Sequence, residues 1–195
     1  FDPMTAREKP LLSAEPDGRD TSVTLTFEPF QSLLFGFSPE MDGAHPLDRG
    51  RETPLMELSG GWRLDVEERG FSKELDAPRG WEREDALRYY SGEGVYTTSF
   101  HLDAAAWDAV ERAEEVRLCL ERLGAAARVL VNGADAGDIF MRPYRLDIRR
   151  FLRPGENVLE LRVRNLLINH AIDPSLPEKD YPPVIGEWPY TTGRL

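Results

Sequence analysis

Apolar and polar residues alternate with a period of two in short segments over most of the chain. In residues 158–164, for example, Leu159, Leu161 and Val163 share one face, and the charged residues between them share the other. This pattern predicts β-strands with one buried and one wet face. After residue 54 it marks the segments 55–58, 62–66, 95–102, 116–121, 128–131, 144–148 and 158–165.

Turn-forming residues separate these segments, notably at Gly60-Gly61, Asn132-Gly133 and Pro154-Gly155. Only residues 103–115 have apolar positions at helical spacing, and Asp103 is in place to cap such a helix. Many short strands with turns between them are typical of an antiparallel sandwich. The sequence therefore predicts an all-β chain, an antiparallel β-sandwich with one short helical excursion.

The first 54 residues differ from the rest in composition. Residues 1–20 hold prolines, a glycine and charges without either hydrophobic period, which predicts a disordered tail or tag. Alternation in 21–27 and 31–37 predicts two strands, and the Pro- and Gly-rich stretch after them is typical of a linker. We expect residues 21–54 to be a strand pair and linker, and residues 55–195 to be the sandwich.

Charge and composition narrow the classes of partner. The chain has 24 Lys and Arg against 35 Asp and Glu, a net charge of −11, which opposes binding to nucleic acid or anionic lipid. No segment approaches the roughly 18 apolar residues of a membrane span. The single cysteine, Cys119, excludes an internal disulfide and a thiolate zinc site. We expect a soluble protein, with the bacterial cytoplasm and secretion both open.

Motifs of known catalytic sites are absent from the sequence, including the zinc-protease helix, the hydrolase nucleophile elbow and the phosphate loop. His45, His101 and His170 are scattered along the chain. Cys119 and His170 could form a nucleophile and base, but nothing near Cys119 would lower the pKa of its thiol. No catalytic residue is predicted, so an autonomous hydrolase or esterase is the least favoured class.

Loop residues instead favour sugar recognition, which uses flat apolar faces and planar polar side chains. Glu187 stands beside Trp188 in a Pro-rich segment, and Arg142 and Tyr144 flank a proline. For any one aromatic, packing into the core is the alternative. The candidate sugar contacts are Arg142, Tyr144, Asn169, Asp173, Glu187 and Trp188.

Several motifs occur along the chain in the same order as in a known protein family. They are Tyr90-Ser91-Gly92-Glu93-Gly94, the segment 117–123, Asn132-Gly133 with Gly137, the segment 143–148, and Pro154-Gly155-Glu156-Asn157 before the strand 158–165. Together they resemble the galactose-binding-like jelly-roll domain of family 2 glycoside hydrolases. The run 169–173 followed by Leu176-Pro177 is similar to the C-terminal sandwich of rhamnosidase-like enzymes. Residues 103–115 depart from the pattern as an insertion.

The resemblance implies a non-catalytic carbohydrate-binding or scaffold domain cut from a larger glycoside hydrolase. Its partner would be a carbohydrate or the neighbouring catalytic domain. The resemblance also implies that residues 21–54 are a strand pair and linker from a preceding domain. A purely structural interdomain module without sugar binding is the alternative, favoured by the strand pair in 21–37 with its exposed edges. Domains of this fold often hold a structural calcium ion, whose ligands the sequence does not identify, and no other cofactor is implied.

Overall fold

A computed structural model of the chain describes residues 14–17, 20–23, 32, 34 and 53–175. The chain divides into two compact units, residues 1–54 and 55–195. In the first unit, strand β1 (Ala14–Asp17) pairs with β2 (Asp20–Val23) in antiparallel register. Strand structure therefore starts at Ala14, inside the segment 1–20 that composition predicts to be a disordered tail, because pairing with β2 holds β1 in place without a hydrophobic period. Most of the predicted strand pair in 21–37 lies outside the described residues.

One sheet of six antiparallel strands dominates the second unit. The strands are β3 (Trp62–Val66), β4 (Phe71–Leu75), β5 (Glu93–Leu102), β7 (Ala126–Val131), β8 (Ala134–Ile139) and β10 (Gly155–Arg164). Their order in the sheet is β4-β3-β5-β10-β7-β8. The two central strands, β5 and β10, pair over their full ten-residue length.

A smaller layer completes the sandwich, and its strands β6 (Arg117–Cys119) and β9 (Arg145–Asp147) pair with each other. Helix α1 (Ala104–Arg112) leads into β6, and the Asp103 side chain caps it by accepting the N–H of Ala106 at 2.8 Å. Short helices fill the remaining connections: 3₁₀ helices at Glu67–Arg69, Trp81–Arg83, Asp85–Leu87 and Arg149–Phe151, and the one-turn helix α2 (Ile168–Ala171). The predicted all-β sandwich with a helical excursion is confirmed.

The core lies between the two layers. Leu159 and Leu161 of β10 are buried while Arg162 is exposed, as the alternating pattern predicts. Aromatic rings close the core, with Trp81 and Tyr96 stacked at a centroid distance of 6.4 Å. Trp81 and Tyr90 are therefore core residues and not exposed sugar platforms.

A network of buried amides closes the end of the sandwich where β7 turns into β8. Asn132 and Gly133 both have positive φ, as a tight two-residue hairpin requires. The Asn132 amide bridges the chain by donating to Phe151 O at 2.9 Å and Asn157 Oδ1 at 2.8 Å. Asn157 is 0% exposed, and all its hydrogen bonds are internal. The hydrogen bonds of these two amides therefore stabilise the fold at this end of the sandwich.

The opposite end of the sheet gathers loops from distant parts of the chain. Glu93 and Ala126 both stand opposite Arg164, and Ala127 stands opposite Ile139. The segments 67–70, 88–92, 120–125, 140–144 and 165–173 therefore all adjoin the same end of the sheet, which we call the loop end. Among the residues described, no helix is long and apolar enough to cross a bilayer.

Candidate functional site

Four of the six predicted sugar contacts lie at the loop end, in two segments. Arg142 and Tyr144 follow β8, and Asn169 and Asp173 follow β10. Glu187 and Trp188 lie outside the described residues. Because two strand spacings separate β8 from β10, the two segments leave the sheet roughly 10 Å apart.

In the segment after β8, the Arg142 guanidinium carbon stands 5.6 Å from the centroid of the Tyr144 ring. The Arg142–Pro143 peptide is cis. Tyr144 is half-buried and packs against the core, and its carbonyl accepts the N–H of Leu120 at 2.9 Å. The structure thus brings this predicted pair together, with the guanidinium covering part of the ring.

Side-chain hydrogen bonds fix the segment after β10 to the start of β5. Asn165 accepts the N–H of Gly92 at 2.9 Å and donates to the carbonyl of Tyr90 at 2.8 Å. The Ser91 hydroxyl donates to Leu166 O at 3.0 Å and accepts the N–H of His170 at 2.9 Å. These four bonds hold α2 in place although it is only one turn long. Ser91 and Asn165 carry no sequence signal of this role.

Asn169 is buried within α2 with 4% of its surface exposed. Its N–H donates to Leu166 O, but its side-chain amide makes no hydrogen bond to any described residue. In the described part of the chain, no fully buried side-chain nitrogen or oxygen lacks a partner. Neither polar atom of the Asn169 amide can therefore be fully buried, although only 4% of the residue's surface is exposed.

Charged side chains lie near Asp173, at the end of this segment. Asp173 accepts hydrogen bonds from the backbone and hydroxyl of Ser175 at 2.9 and 2.7 Å, which lower the pKa of its carboxyl. The nearby charges of His170 and Arg69 lower this pKa further. Arg69 also stands 5.3 Å from the ring centroid of Tyr90. We call Arg69, Asn169, His170 and Asp173 the α2 cluster.

Sequence reasoning missed Arg69, because it lies on the Glu67–Arg69 turn, far from α2 along the chain. Only the pairing of β3 with β5 brings that turn to the loop end. The Tyr90 hydroxyl strengthens this link by donating to Glu68 Oε2 at 2.9 Å, and burial raises the pKa of Tyr90. A single sequence carries no signal of this proximity.

The described residues include no group of three or more His, Cys, Asp or Glu side chains that could hold a metal ion. The structure therefore assigns no side-chain ligands to a calcium ion. His101 lies near the opposite end of β5, where its Nδ1 is 2.8 Å from Glu156 Oε1. Cys119 is exposed on β6, and its thiol donates to Arg117 O at 3.8 Å.

The chain is similar to parts of several glycoside hydrolases. No protein-family model matches the chain. The chain is 31% identical over 135 residues to the "Putative beta-glucuronidase" of Formosa agariphila, a match that covers 64% of this chain and 11% of that protein. It matches the structure of a rhamnosidase from Novosphingobium sp. PP1Y with 31% identity and a TM-score of 0.51, covering 66% of this chain and 13% of that one. The β-D-glucuronidase of Dictyoglomus thermophilum matches with 25% identity and a TM-score of 0.45, over 55% of this chain and 19% of the enzyme.

The chain thus spans about a tenth to a fifth of the length of these relatives. The two homologues at 31% identity are named as glycoside hydrolases, and the similarity to them covers 64–66% of the chain.

Proposed function

We propose that the sandwich is a non-catalytic carbohydrate-binding or scaffold domain of a larger glycoside hydrolase, of the galactose-binding-like jelly-roll type. Its 31% identity to short portions of a β-glucuronidase-named protein and of a rhamnosidase supports this proposal. A sandwich with loops clustered at one end is a common scaffold for recognition. Taken alone, the chain is not an enzyme, and its reaction belongs to other parts of the parent protein.

The side-chain amide of Asn169, which has no hydrogen-bond partner among the described residues, is the observation that supports the binding role. A sugar ring presents adjacent hydroxyls, each a donor and an acceptor, and an amide can meet both needs. Asp173 adds an acceptor, and Arg69, whose charge acts on Asp173, adds donors, so the α2 cluster would offer complementary groups at the loop end. The hydrogen bonds of Ser91 and Asn165 already fix the segment that carries α2. Ligand binding would therefore cost this segment little further conformational entropy.

Arg142 and Tyr144 would add a second contact for an oligosaccharide. They leave the sheet at the same end, and the Tyr144 ring supplies an apolar surface. Their separation from α2 is more than a single sugar ring spans but within reach of a short glycan. Loss of this pair should therefore weaken longer glycans more than monosaccharides.

Titration calorimetry with a panel of neutral and uronate-bearing glycans tests the proposal. Asn169→Ala and Asp173→Asn are expected to weaken binding by about tenfold, the effect of one good hydrogen bond to a charged or buried group. Glu156→Gln is the matched control for the charge change, because Glu156 is exposed near the opposite end of β5. An absence of heat at millimolar concentrations of every glycan would refute the sugar-binding role. Hydrolysis of nitrophenyl glycosides by the purified chain would refute its non-catalytic assignment.

A structural interdomain module without sugar binding is the second candidate. It is favoured by large apolar side chains that are exposed at the same loop end. Calorimetry separates the two candidates, since this module would bind no glycan and would keep its fold in all the variants above.

A further inference from the structure

We propose that the loop end carries a docking surface for a neighbouring domain of the same polypeptide. This inference rests on the proposed membership of a larger glycoside hydrolase and specifies where the sandwich meets the rest of it. The surface, which we call the apolar rim, consists of Phe140, Met141, Leu166, Leu167, Ile168 and Ile172.

The rim residues lie at one end of the sheet, and four of them fall within residues 166–172. Of the ten large apolar residues recorded as exposed in the described part of the chain, six lie at the loop end. Leu167 is 67% exposed and Phe140 is 61% exposed, which is far more than the edge of a core requires. Isolated exposed apolar residues are ordinary, whereas a cluster of them marks an interaction surface.

The backbone of the rim is fixed in this exposed position. Leu166 O accepts the Ser91 hydroxyl, and Leu167 O accepts the N–H groups of His170 and Ala171. Asn165, directly before the rim, is bonded to the start of β5. These contacts prevent the segment from turning inward to bury its own side chains, so a partner must cover them to remove them from water.

The chemistry of the rim fits a protein partner better than a sugar. Phe140 is its only aromatic residue, and the leucines and isoleucines lack the flat faces that stack on sugar rings. Branched aliphatic side chains are instead the usual content of packed protein interiors.

Charge and chain length identify the partner as a neighbouring domain. A net charge of −11 on each copy opposes association of two copies and binding to an anionic membrane. The relatives that share 31% identity carry the matched region as 11% and 13% of their length, so most of such a chain lies outside the sandwich. Domain contacts within a chain typically bury about 600–1,500 Å², and six such side chains would form the centre of that area.

Amide hydrogen exchange tests this proposal on two proteins, the 195-residue chain and the complete product of the reading frame that contains it. We expect the amides of residues 166–172 to exchange at least about tenfold more slowly in the complete product, because docking suppresses local opening. The double variant Leu166→Gln, Leu167→Gln should abolish this slowing. Val158→Thr, which changes an exposed apolar residue on the outer face of β10, should retain it.

Three results would overturn the docking proposal. They are equal exchange in the two proteins, slowing that survives the double variant, and a reading frame that encodes nothing beyond these 195 residues. A dimer of the 195-residue chain that protects the same amides would identify a second copy as the partner and would also overturn it. Glycan titration of Asn169→Ala on the same proteins reports separately on sugar binding, so the failure of one proposal is distinguishable from that of the other.

Discussion

Replacing Asn157 by Ala should be among the most destabilising single changes in the sandwich. The side chain is 0% exposed and makes four hydrogen bonds. Its Nδ2 donates to the carbonyls of Arg153 at 2.7 Å and Gly155 at 3.0 Å. Its Oδ1 accepts the N–H of Arg153 at 3.0 Å and the amide of Asn132 at 2.8 Å. The network joins the β7–β8 hairpin to the turn that begins β10.

The magnitude follows from these four bonds. A hydrogen bond contributes a net ~1 kcal/mol, so their loss removes about 4 kcal/mol before any relaxation. Water entering the vacated space would recover part of this for the Arg153 groups, while Asn132 keeps its bond to Phe151. We therefore expect a loss of about 3 kcal/mol in the free energy of unfolding, which lowers the melting temperature by roughly 10 °C for a domain of this size.

Asn169→Ala provides the matched control, since it removes the same atoms from a residue that is also buried. Its side chain makes no hydrogen bond to the described residues, so the expected loss is below about 1 kcal/mol. Urea denaturation followed by tryptophan fluorescence would measure both variants. Equal losses for the two variants, or a loss below about 1 kcal/mol for Asn157→Ala, would refute the reasoning.

Two further variants test packing and charge. Glu84 bonds to Lys73 at 2.7 Å and Arg79 at 2.8 Å, which lowers the pKa of its carboxyl below the ordinary value near 4.5. Because the pKa is lower in the folded chain, the ionised Glu84 stabilises the fold at pH values above about 4.5. This stabilisation is lost as the pH falls through the folded-state pKa. Glu84→Gln should therefore lower the free energy of unfolding by about 0.5 kcal/mol at pH 7 and by less at pH 3; equal losses in urea titrations would contradict this. At Gly94, an added Cβ would lie 2.6 Å from Trp81 Cζ3, so Gly94→Ala should cost about 1–3 kcal/mol in thermal denaturation, and an unchanged melting temperature would contradict the close contact.

The central strands were predictable because burial leaves a period-two pattern in them. Strand β3 has the predicted bounds, and β10 buries the predicted face. The edge strands β4 and β8 lack this pattern, since most of their positions are exposed or half-buried and their hydrogen bonds to β3 and β7 hold them in place. The strand predicted at 55–58 is wrong, because Leu55 and Met56 are exposed and pair with no strand among the described residues.

The predicted helix was correct in place and too long by a few residues. Helix α1 ends at Arg112, and Ala113 is already extended, although helical spacing continues to residue 115 in the sequence. Candidate site residues were harder to predict, because their proximity depends on strand register. Asn169 and Asp173 could be nominated as polar groups after a strand, but the presence of Arg69 beside them follows only from the order of strands in the sheet.

The α2 cluster and part of the apolar rim lie on one short segment, so a domain that docks on the rim would also lie next to the α2 cluster. Ile168 and Ile172 of the rim flank Asn169 and His170 of the cluster, at the first residue of α2 and at its C-cap. A domain packed on the rim would therefore border the polar cluster without needing to cover it. Binding sites often lie at such domain boundaries, where a second wall excludes water from one side of the ligand. On this reasoning, glycan affinity should be higher in the complete protein than in the 195-residue chain, and Leu167→Gln should remove the difference while leaving the affinity of the shorter chain unchanged.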